Sequence, residues 1–511
     1  MQITLDPTGK NSLEADAKVL TAYQRTRTST VKGKATTSTV VAVDHWADKG
    51  LAEEFKGLRA AKIFKAGKDE VITFSGPMGE TVKVVGLGDK TKLRAEDVRR
   101  SIARIFKTLR AEKHTSIAID LGGFDVVRDT ALSAQLVSEA LQMSAYTFDR
   151  HQSKKSPNSV QSVWLFGYEK RKEAAVKKGL ELANPVASAI TLVRDLVNEA
   201  PNFLTSEEYA RRIDADVKAN LKGVKVKILN KAQIKAEKMG LLLSVNAGSA
   251  FEPRLVHLTY EPARKTAKTK HIALVGKGIT FDTGGYCIKP GTAMAGMKTD
   301  MGGSATVYGA FRAAVQMKAQ VKITCILAIT DNAINAEATF PDAIITGRNG
   351  KTVEILNTDA EGRLILADAL DYACDQKPDA IVDAATLTGA CLVALGNQVA
   401  AVLGNDQKWI DTLLKAAKES DEYMWQLPII DEWRSDIKSK VADLKNIGTP
   451  MRAGTAIGAA FLEEFVKDGI SWAHLDVAGV VDGQSHLPYC PPHGASGVMV
   501  RTLVRMLMTA K

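Results

Sequence analysis

The chain has 511 residues, of which 45% are hydrophobic and 25% are charged, a composition typical of soluble globular proteins. Its length exceeds the roughly 300 residues at which a single hydrophobic core stops growing, so two domains are expected rather than one. The formal net charge of +10 favours acidic partners such as nucleic acid, but we prefer the interpretation that lysines are scattered over the surface of a large protein.

The five cysteines argue against two kinds of site. Their number is odd, they are widely spread and no C-x-x-C pair occurs, so neither a disulfide framework nor a thiolate zinc site is expected. The N-terminus lacks a basic stretch followed by an apolar one, and no run approaches 18 uncharged apolar residues. We therefore expect a cytoplasmic protein without a membrane partner. The basic run from Tyr23 to Thr39 is predicted to be a loop or a sheet edge.

The first 170 residues alternate short β-like runs with helical ones, which is typical of a βα domain with its own sheet. The predicted strands are 40–43, 71–74, 82–86, 116–120 and 163–167, and the predicted helices include 95–109 and 130–143. No dense cluster of metal ligands or paired catalytic groups occurs in this part of the sequence. We assign residues 1–172 to a smaller N-terminal α/β domain and residues 173–198 to a linking helix that contains Pro185.

The remainder, residues 199–511, reads as a larger doubly wound α/β domain with a mixed central sheet. A helix is predicted to start at 205–208, where Thr and Ser precede two acids. Apolar runs at 271–275, 321–330 and 379–385 indicate buried strands, with a further strand at 224–229 and helices at 231–239, 303–317 and 364–373. The strand at 271–275 is expected to end at 276–278, which reads Gly-Lys-Gly.

The octapeptide from Asn357 to Leu364 carries three charged side chains at alternate positions. In an extended segment Asp359, Glu361 and Arg363 would lie on one side, at the exit of a strand predicted over 351–356. Ligands bind in open α/β sheets at such strand ends. Taken alone, the same pattern also fits a solvated strand face.

A second block, from Gly276 to Gly303, holds further charged groups beside turn-forming glycines. Asp282 precedes a Gly-Gly turn, Asp300 precedes a glycine-rich helix start, and Lys277 and Lys289 flank Asp282. With the octapeptide this gives four carboxylates and three cations. Two divalent metal ions would neutralise the four carboxylates and explain why they gather. An ion-pair network between the acids and the three cations is the alternative.

The octapeptide, NTDAEGRL, matches the signature of the leucyl aminopeptidase family of dinuclear metallopeptidases. VGKGITFDTGG, MKTDMGG and RDLVNEAPN also resemble the blocks of that family and occur in the expected order. The resemblance covers residues 190–505, whereas the N-terminal part resembles the family only in size and βα style. No H-E-x-x-H and no G-x-S-x-G motif occurs, so a mononuclear zincin or a serine hydrolase is not indicated.

The resemblance implies a role for each matching residue. Asp282 and Glu361 would bridge two metal ions. Lys277 and Asp300 would complete the coordination of one ion, and Asp359 would complete that of the other. Lys289 and Arg363 would be the catalytic cations, with a bicarbonate on the arginine as general base. Zinc or manganese is favoured, with cobalt or magnesium as alternatives.

The resemblance also implies the substrate and the assembly. The enzyme would remove the N-terminal residue, leucine or a similar apolar residue, from peptides with a free N-terminus, and it would form a homohexamer. The pocket for the first side chain would be lined by Met297, Thr386, Gly389, Ala478 and Val481, although each of these residues taken alone also fits plain core packing. His474 is interpreted as a structural polar group rather than a metal ligand. A nucleic-acid-binding protein on the same scaffold is the second hypothesis, and a catalytically dead relative is disfavoured because all seven functional positions are present.

Overall fold

The computed structural model describes residues 1–31, 34–43, 49–60, 63–125, 129–156, 158–449 and 452–510. Its contacts divide the chain into an N-terminal unit, residues 1–187 with 486–491, and a C-terminal unit, residues 188–485 with the segment that starts at Pro492. Among the described residues, no helix combines the length and apolar character that crossing a membrane requires.

The N-terminal unit is built on a seven-stranded sheet. Its elements are β1 (Gln2–Leu5), β2 (Ala17–Val31), β3 (Lys34–Ala42), α1 (Lys49–Ala60), β4 (Val71–Ser75), β5 (Thr81–Asp89), α2 (Ala95–Ala111), β6 (Ser116–Asp120), α3 (Thr130–Ala145), β7 (Ser162–Phe166) and the start of α4 (Glu173–Asn198). The strand order is β1-β7-β6-β2-β5-β4, and β3 pairs with β2. Only β3 and β4 run antiparallel to their neighbours.

Helices cover both faces of this sheet. Along β5, Val85 packs in the cluster that contains Phe106 of α2 and Val137 of α3, whereas Val84 packs in a separate cluster with Phe55 of α1. Because side chains alternate along a strand, these two clusters lie on opposite faces. The predicted strands and helices of this part are confirmed, but β1, β2 and α1 were missed.

The basic run from Tyr23 to Thr39 lies largely in the antiparallel strands β2 and β3, and its residues 32 and 33 lie outside the described part of the chain. Among the described residues β3 pairs only with β2, so the sheet-edge alternative is confirmed and the loop alternative is wrong. The alternation of Thr and Ser with Arg and Lys, which favours β structure, outweighs the charge.

The C-terminal unit contains the remaining elements. They are α5 (Ser206–Asn220), β8 (Val224–Leu229), α6 (Lys231–Ala236), α7 (Gly240–Asn246), β9 (Arg254–Tyr260), β10 (His271–Asp282), α8 (Gly291–Met294), α9 (Gly302–Gln316), β11 (Lys322–Asn332), β12 (Ala343–Thr346), β13 (Thr352–Ile355), α10 (Gly362–Cys374), β14 (Ala380–Ala385), α11 (Gly389–Leu395), β15 (Ala400–Gly404), α12 (Gln407–Glu419), β16 (Met424–Gln426), α13 (Asp431–Asp436), β17 (Leu444–Lys445), α14 (Gly454–Glu463), β18 (Ser471–Asp476) and α15 (Val500–Thr509).

An eight-stranded mixed sheet in the order β16-β15-β18-β14-β10-β11-β9-β8 forms the centre of this unit. Four neighbouring strands, β18, β14, β10 and β11, are parallel. From β10 the chain passes to β11 on one side and later to β14 on the other, so the strand order reverses at β10. Ligands bind at such a switch point, outside the carboxyl ends of the strands. The predicted fold class, α/β with a smaller βα domain and a larger doubly wound domain, is confirmed.

β10 is longer than predicted. The strand was expected to end at 276–278, but it continues to Asp282. A Cβ atom on Gly276 would lie 2.4 Å from Ser304 Cα, and one on Gly278 would lie 2.7 Å from Ala328 O. The two glycines therefore permit close packing inside the sheet rather than a turn, and Lys277 lies within the strand instead of following it.

The octapeptide is not an extended strand. The preceding strand β13 belongs to a separate three-stranded sheet, β12-β13-β17, and not to the central sheet. Residues 358 and 359 form a turn, Glu361 has helical φ and ψ angles of −75° and −35°, and α10 starts at Gly362. The expectation that three charges align on one strand face is wrong because the chain turns into a helix between them. The strand predicted over 351–356 and the helix predicted over 364–373 are confirmed by β13 and α10.

Candidate metal centre

Four acidic residues meet beside the carboxyl end of β10. Asp282 is the last residue of β10, Asp300 lies in the 3-10 turn Met297–Met301, and Asp359 and Glu361 precede α10. One carboxylate oxygen from each of Asp282, Asp359 and Glu361 lies within 4.8 Å of the others. The structure thus brings together the two blocks that the sequence singled out.

Lys277 is buried at the centre of this group. Its Nζ lies 2.9 Å from Asp300 Oδ2 and 2.8 Å from Glu361 Oε1, and it donates a hydrogen bond of 2.9 Å to the carbonyl oxygen of Thr386. A Cβ atom on Gly362 would lie 2.5 Å from Lys277 Cε. The glycine of the octapeptide therefore leaves the space that the lysine side chain fills.

Lys289 contacts the other two acids. Its Nζ lies 2.9 Å from Asp282 Oδ2 and 2.5 Å from Asp359 Oδ1. The loop before it turns at Gly284, where φ is +88°, and closes with a hydrogen bond of 2.9 Å from Lys289 N to Thr283 O. The sharp turn returns the chain to the site, so one short loop supplies both an acid and a cation.

Three of the four acids, Asp300, Asp359 and Glu361, have raised pKa values. Burial raises the pKa of Asp300 well above its usual range, and Lys277 opposes this only in part. Burial also raises the pKa of Asp359, and burial followed by the charge of Asp282 raises that of Glu361. Burial alone would lower the pKa of Lys277, but the surrounding carboxylates raise it, so the lysine is held as an ammonium.

The site fits divalent cations by the chemistry of its donors. Glu361 Oε2 is buried and has no hydrogen-bond partner among the described residues. An unpaired buried carboxylate oxygen is costly, and hard or borderline divalent ions bind such oxygens. Bound cations would both balance the excess negative charge of the carboxylates and coordinate this unpaired oxygen.

Arg363 stands apart from the carboxylate cluster. It lies in the first turn of α10, and its Nη1 donates a hydrogen bond of 2.9 Å to Asn446 O. No acidic group of the described residues lies within 4.0 Å of its guanidinium, and its Nε is buried without a partner there. Burial lowers the pKa of Arg363 to about 10, against the opposing effect of Glu361 and Asp476. An ion-pair network that includes all three cations is therefore not what the structure contains.

Asn446 and Asn332 form hydrogen bonds to segments of the site, and nothing in the sequence singled them out. Asn446 Oδ1 accepts hydrogen bonds from the amides of Leu356 and Asn357 at 2.9 and 3.2 Å, and its Nδ2 donates to Asn357 O at 2.7 Å. Asn332 Nδ2 donates to Asp282 Oδ1 at 2.8 Å. Each fixes a backbone or a carboxylate from a distant segment, and a single asparagine carries no local signal for such a role.

The five predicted pocket residues lie on three segments of the C-terminal unit. Met297 shares the 3-10 turn of Asp300, and Thr386 Oγ1 donates a hydrogen bond of 2.8 Å to Asp300 Oδ1. A Cβ atom on Gly302 would lie 2.2 Å from a methyl group of Val481, so Val481 borders the start of α9. Gly389 opens α11, and Ala478 follows β18.

A largely apolar cavity of about 750 Å³ lies beside Arg363 and Asn357. Its walls include Val393, Leu427 and Trp433, none of which was singled out in the sequence. Apolar clefts with a few polar groups are the usual form of ligand sites.

His474 lies within β18, away from the carboxylate cluster. Its Nδ1 lies 2.6 Å from Asp383 Oδ1, and both side chains are fully buried. Burial opposes the charged form, but Asp383 raises the pKa of His474 overall. The interpretation of His474 as a structural polar group agrees with this arrangement.

Known families and proteins match both units. Residues 191–504 match the catalytic domain of the cytosol aminopeptidase family, and residues 30–155 match the N-terminal domain of the same family. A probable cytosol aminopeptidase of Bdellovibrio bacteriovorus is 42% identical over 83% of this chain and 85% of its own length. The cytosol aminopeptidase of Pseudomonas aeruginosa is 41% identical over 78% of this chain and 80% of its own length.

Solved structures agree with these sequence matches. A mutant of tomato leucine aminopeptidase superposes with a TM-score of 0.84 at 28% identity, covering all of this chain and 97% of that one. The bottromycin maturation enzyme BotP superposes with a TM-score of 0.81 at 29% identity, covering 97% of this chain and 99% of that one. The chain belongs to the cytosol aminopeptidase family and is a metallo-aminopeptidase, a hydrolase.

Proposed function

We propose that this enzyme uses two divalent metal ions to remove leucine and similar apolar residues from the N-terminus of peptides. The observation that carries the proposal is the gathering of four carboxylates around two lysines, with Glu361 Oε2 buried and unpaired. The two lysines balance only half of the charge of the four carboxylates, so the site is short of positive charge, which divalent ions would supply.

The ligand set follows from the family resemblance and is supported by the geometry. Asp282 and Glu361 would be shared by both ions, Lys277 and Asp300 would bind one of them, and Asp359 the other. Lys277 must lose its proton to act as a ligand, which an adjacent dication favours and the carboxylates alone oppose. Zinc and manganese are the proposed ions, with cobalt and magnesium as alternatives.

When bound, such ions supply Lewis acidity and activate a water molecule near neutral pH. The side chains of the protein would stabilise the developing charge and hold the site in place. Lys289, held between Asp282 and Asp359, donates a hydrogen bond to the oxygen of the scissile carbonyl and stabilises the negative charge that develops there. Asn446 and Asn332 keep the surrounding groups fixed, so that no reorganisation is needed during the reaction.

Arg363 is proposed to hold an anion beside the reacting groups. Its Nη1 is engaged by Asn446 O, while its buried Nε has no partner among the described residues and is available to an acceptor. A bicarbonate, which the resemblance implies, matches a guanidinium in size and geometry. The arginine would orient that anion for proton transfer.

Peptide specificity is proposed to come from two neighbouring regions. Met297, Thr386, Gly389, Ala478 and Val481 would form the pocket for the first side chain, and its mostly apolar lining favours leucine-like residues. The cavity of about 750 Å³ beside Arg363 would take the peptide beyond the cleaved bond.

A cytoplasmic location and a homohexameric assembly complete the proposal. The names of the relatives, cytosol aminopeptidases, support the location, and the family resemblance supports the hexamer. Binding to nucleic acid rests on the net charge of +10 and on the basic run from Tyr23 to Thr39, and a steep salt dependence of DNA affinity would be its signature.

Hydrolysis of leucine p-nitroanilide by the purified full-length protein tests the function. We expect activity that requires zinc or manganese, with two ions per chain in metal analysis, and a higher kcat/KM for leucine than for charged residues. Activity that survives complete removal of metal would overturn the two-metal proposal. Equal kcat/KM for leucine and aspartate derivatives would overturn the leucine preference.

A further inference from the structure

The two segments that carry four of the five pocket residues leave the sheet side by side. β14 ends at Ala385 and β18 ends at Asp476, and these two terminal residues are paired in the sheet. Thr386 and Gly389 follow β14, whereas Ala478 and Val481 follow β18. The distance between the two segments therefore sets one dimension of the proposed pocket.

The carboxylate of Asp476 joins these segments. Its Oδ1 accepts hydrogen bonds of 3.2 Å from the amides of both Leu387 and Ala478, and its Oδ2 accepts one of 2.7 Å from Thr388 Oγ1. The side chain is fully buried. A single buried carboxylate thus bonds to the segment after β14 and to the segment after β18.

Thr388, which bonds to Asp476, directly precedes the pocket residue Gly389. Thr388 is the N-cap of α11, and its Oγ1 accepts a hydrogen bond of 3.2 Å from Cys391 N. The same hydroxyl lies 2.8 Å from Thr455 Oγ1 of α14. Because Gly389 is the first residue of α11, the bond from Thr388 to Asp476 fixes where this wall of the pocket begins.

The strand behind Asp476 is held by further buried polar groups. Trp472, His474 and Asp476 occupy alternate positions of β18 and therefore share one face. Trp472 Nε1 donates a hydrogen bond of 2.7 Å to Asp383 Oδ2, and His474 Nδ1 lies 2.6 Å from Asp383 Oδ1. Asp383 and His474 are also paired across β14 and β18. Both strands are thus locked directly behind the carboxylate.

We propose that Asp476 is a positioning residue that sets the width of the pocket for the first side chain and thereby the preference for leucine over smaller residues. The inference rests on the proposed function, because it deepens the assignment of that pocket. Asp476 does not ligate metal in the proposed centre, so its effect is on the fit of the side chain rather than on the hydrolytic step.

The test compares Asp476→Ala and Asp476→Asn with the wild type, all as full-length, metal-loaded enzyme. Asp368→Asn is the matched control, because Asp368 is also a fully buried carboxylate of this unit and accepts backbone hydrogen bonds from Leu242 and Arg348 at 2.9 and 2.8 Å. The measurements are metal content, kcat and KM for the p-nitroanilides of leucine and alanine.

The expected result is a change in selectivity. In Asp476→Ala the ratio of kcat/KM for leucine to that for alanine falls by about 10-fold, mainly through KM, since pocket fit discriminates between such side chains by roughly 10- to 200-fold. In Asp476→Asn this ratio falls by less, because the amide oxygen of the asparagine still accepts the two backbone hydrogen bonds. Asp368→Asn keeps the wild-type ratio even if its thermal stability drops. Metal content is unchanged in every variant.

An unchanged leucine-to-alanine ratio in Asp476→Ala would overturn the inference, as would a fall in kcat that is equal for both substrates. If Asp476→Ala does not fold, the ratio in Asp476→Asn decides in the same way. A wild-type enzyme without activity or without preference for leucine would instead refute the proposed function, so the two failures are distinguishable.

Discussion

Buried lysine–carboxylate contacts occur in both units, but with opposite electrostatic outcomes. In the N-terminal unit, Lys18 Nζ lies 2.7 Å from Glu80 Oε1, and both side chains are buried. Burial raises the pKa of Glu80, yet its hydrogen bond and charge interaction with Lys18 lower it overall. In the C-terminal unit, Lys277 contacts Glu361 at a similar 2.8 Å, yet the pKa of Glu361 is raised.

Glu361 is more deeply buried than Glu80, and it lies in a cluster in which each lysine contacts two carboxylates. Lys277 is shared by Asp300 and Glu361, and Lys289 is shared by Asp282 and Asp359. A buried pair with balanced charge is a complete structural contact, whereas a cluster with excess carboxylate is complete only with additional cations. The same residue types therefore form a structural contact in one unit and the proposed metal centre in the other.

The largest expected effect separates these two kinds of contact directly. Glu361→Gln should reduce kcat/KM for leucine p-nitroanilide by about 10²- to 10³-fold, comparable with the loss of a charge-stabilising group in other active sites, and should lower metal content. Glu80→Gln should lower thermal stability but keep kcat/KM per folded molecule. Full activity in Glu361→Gln would contradict the comparison, because that carboxylate would then be structural too.

Metal removal should affect only the cluster with excess carboxylate. Chelation should abolish activity and lower the melting temperature, because ions at 100 times their Kd stabilise a folded protein by roughly 3 kcal/mol per site. Readdition of zinc or manganese should restore both properties. Calorimetry of the metal-free and reloaded protein measures the shift, and an unchanged melting temperature would show that the acids need no cation.

Arg363→Ala sharpens the comparison, since no carboxylate of the described residues lies within ion-pair distance of this third cation. We expect kcat to fall by about 10²-fold, as when one stabilising donor is removed. Both metal ions should stay bound, because Arg363 Nη1 bonds to Asn446 O rather than to a ligand. Arg363→Lys keeps the charge without the planar fork and should recover part of the rate. Loss of metal from Arg363→Ala would place the arginine in the metal centre instead.

The smallest effect concerns pH and the contact of Lys18 with Glu80. The folded pKa of Glu80 is lowered, so its ionised form adds stability above its unfolded value near 4.5, and this stability is lost as pH falls through the folded pKa. Glu80→Gln should therefore be less stable than wild type at pH 7, by roughly 1 to 3 kcal/mol, and the gap should narrow in acid. Urea unfolding of both proteins at pH 7 and in acid measures whether the stability difference narrows as expected.

Much of the site was predictable because its residues sit beside local signals. Asp282 precedes a Gly-Gly turn and Asp300 precedes a glycine-rich helix start, so each was recognisable within its own segment. Lys277 was recognised as a residue but placed after the strand, because the glycines around it serve sheet packing rather than a turn. Arg363 was expected to point to the same side as Asp359 and Glu361, which is wrong because α10 starts before it.

The remaining parts depend on contacts between distant segments. Asn446, which follows β17, fixes Asn357, and Asp476 joins two loops that are widely separated in sequence. Single polar residues give no periodic or spacing pattern, so sequence reasoning had no means to select them. β2 was missed for a similar reason, because its alternating pattern is hidden by basic residues.

The clearance between Gly362 and the Lys277 side chain has an evolutionary consequence. An alanine at 362 would collide with the lysine, so the two positions constrain each other. A homologue that has replaced the lysine with a short residue no longer needs the glycine and is free to lose it by drift. Joint loss of this pair, in a sequence that otherwise keeps the octapeptide, would therefore identify pseudoenzymes in the family while their fold is still intact.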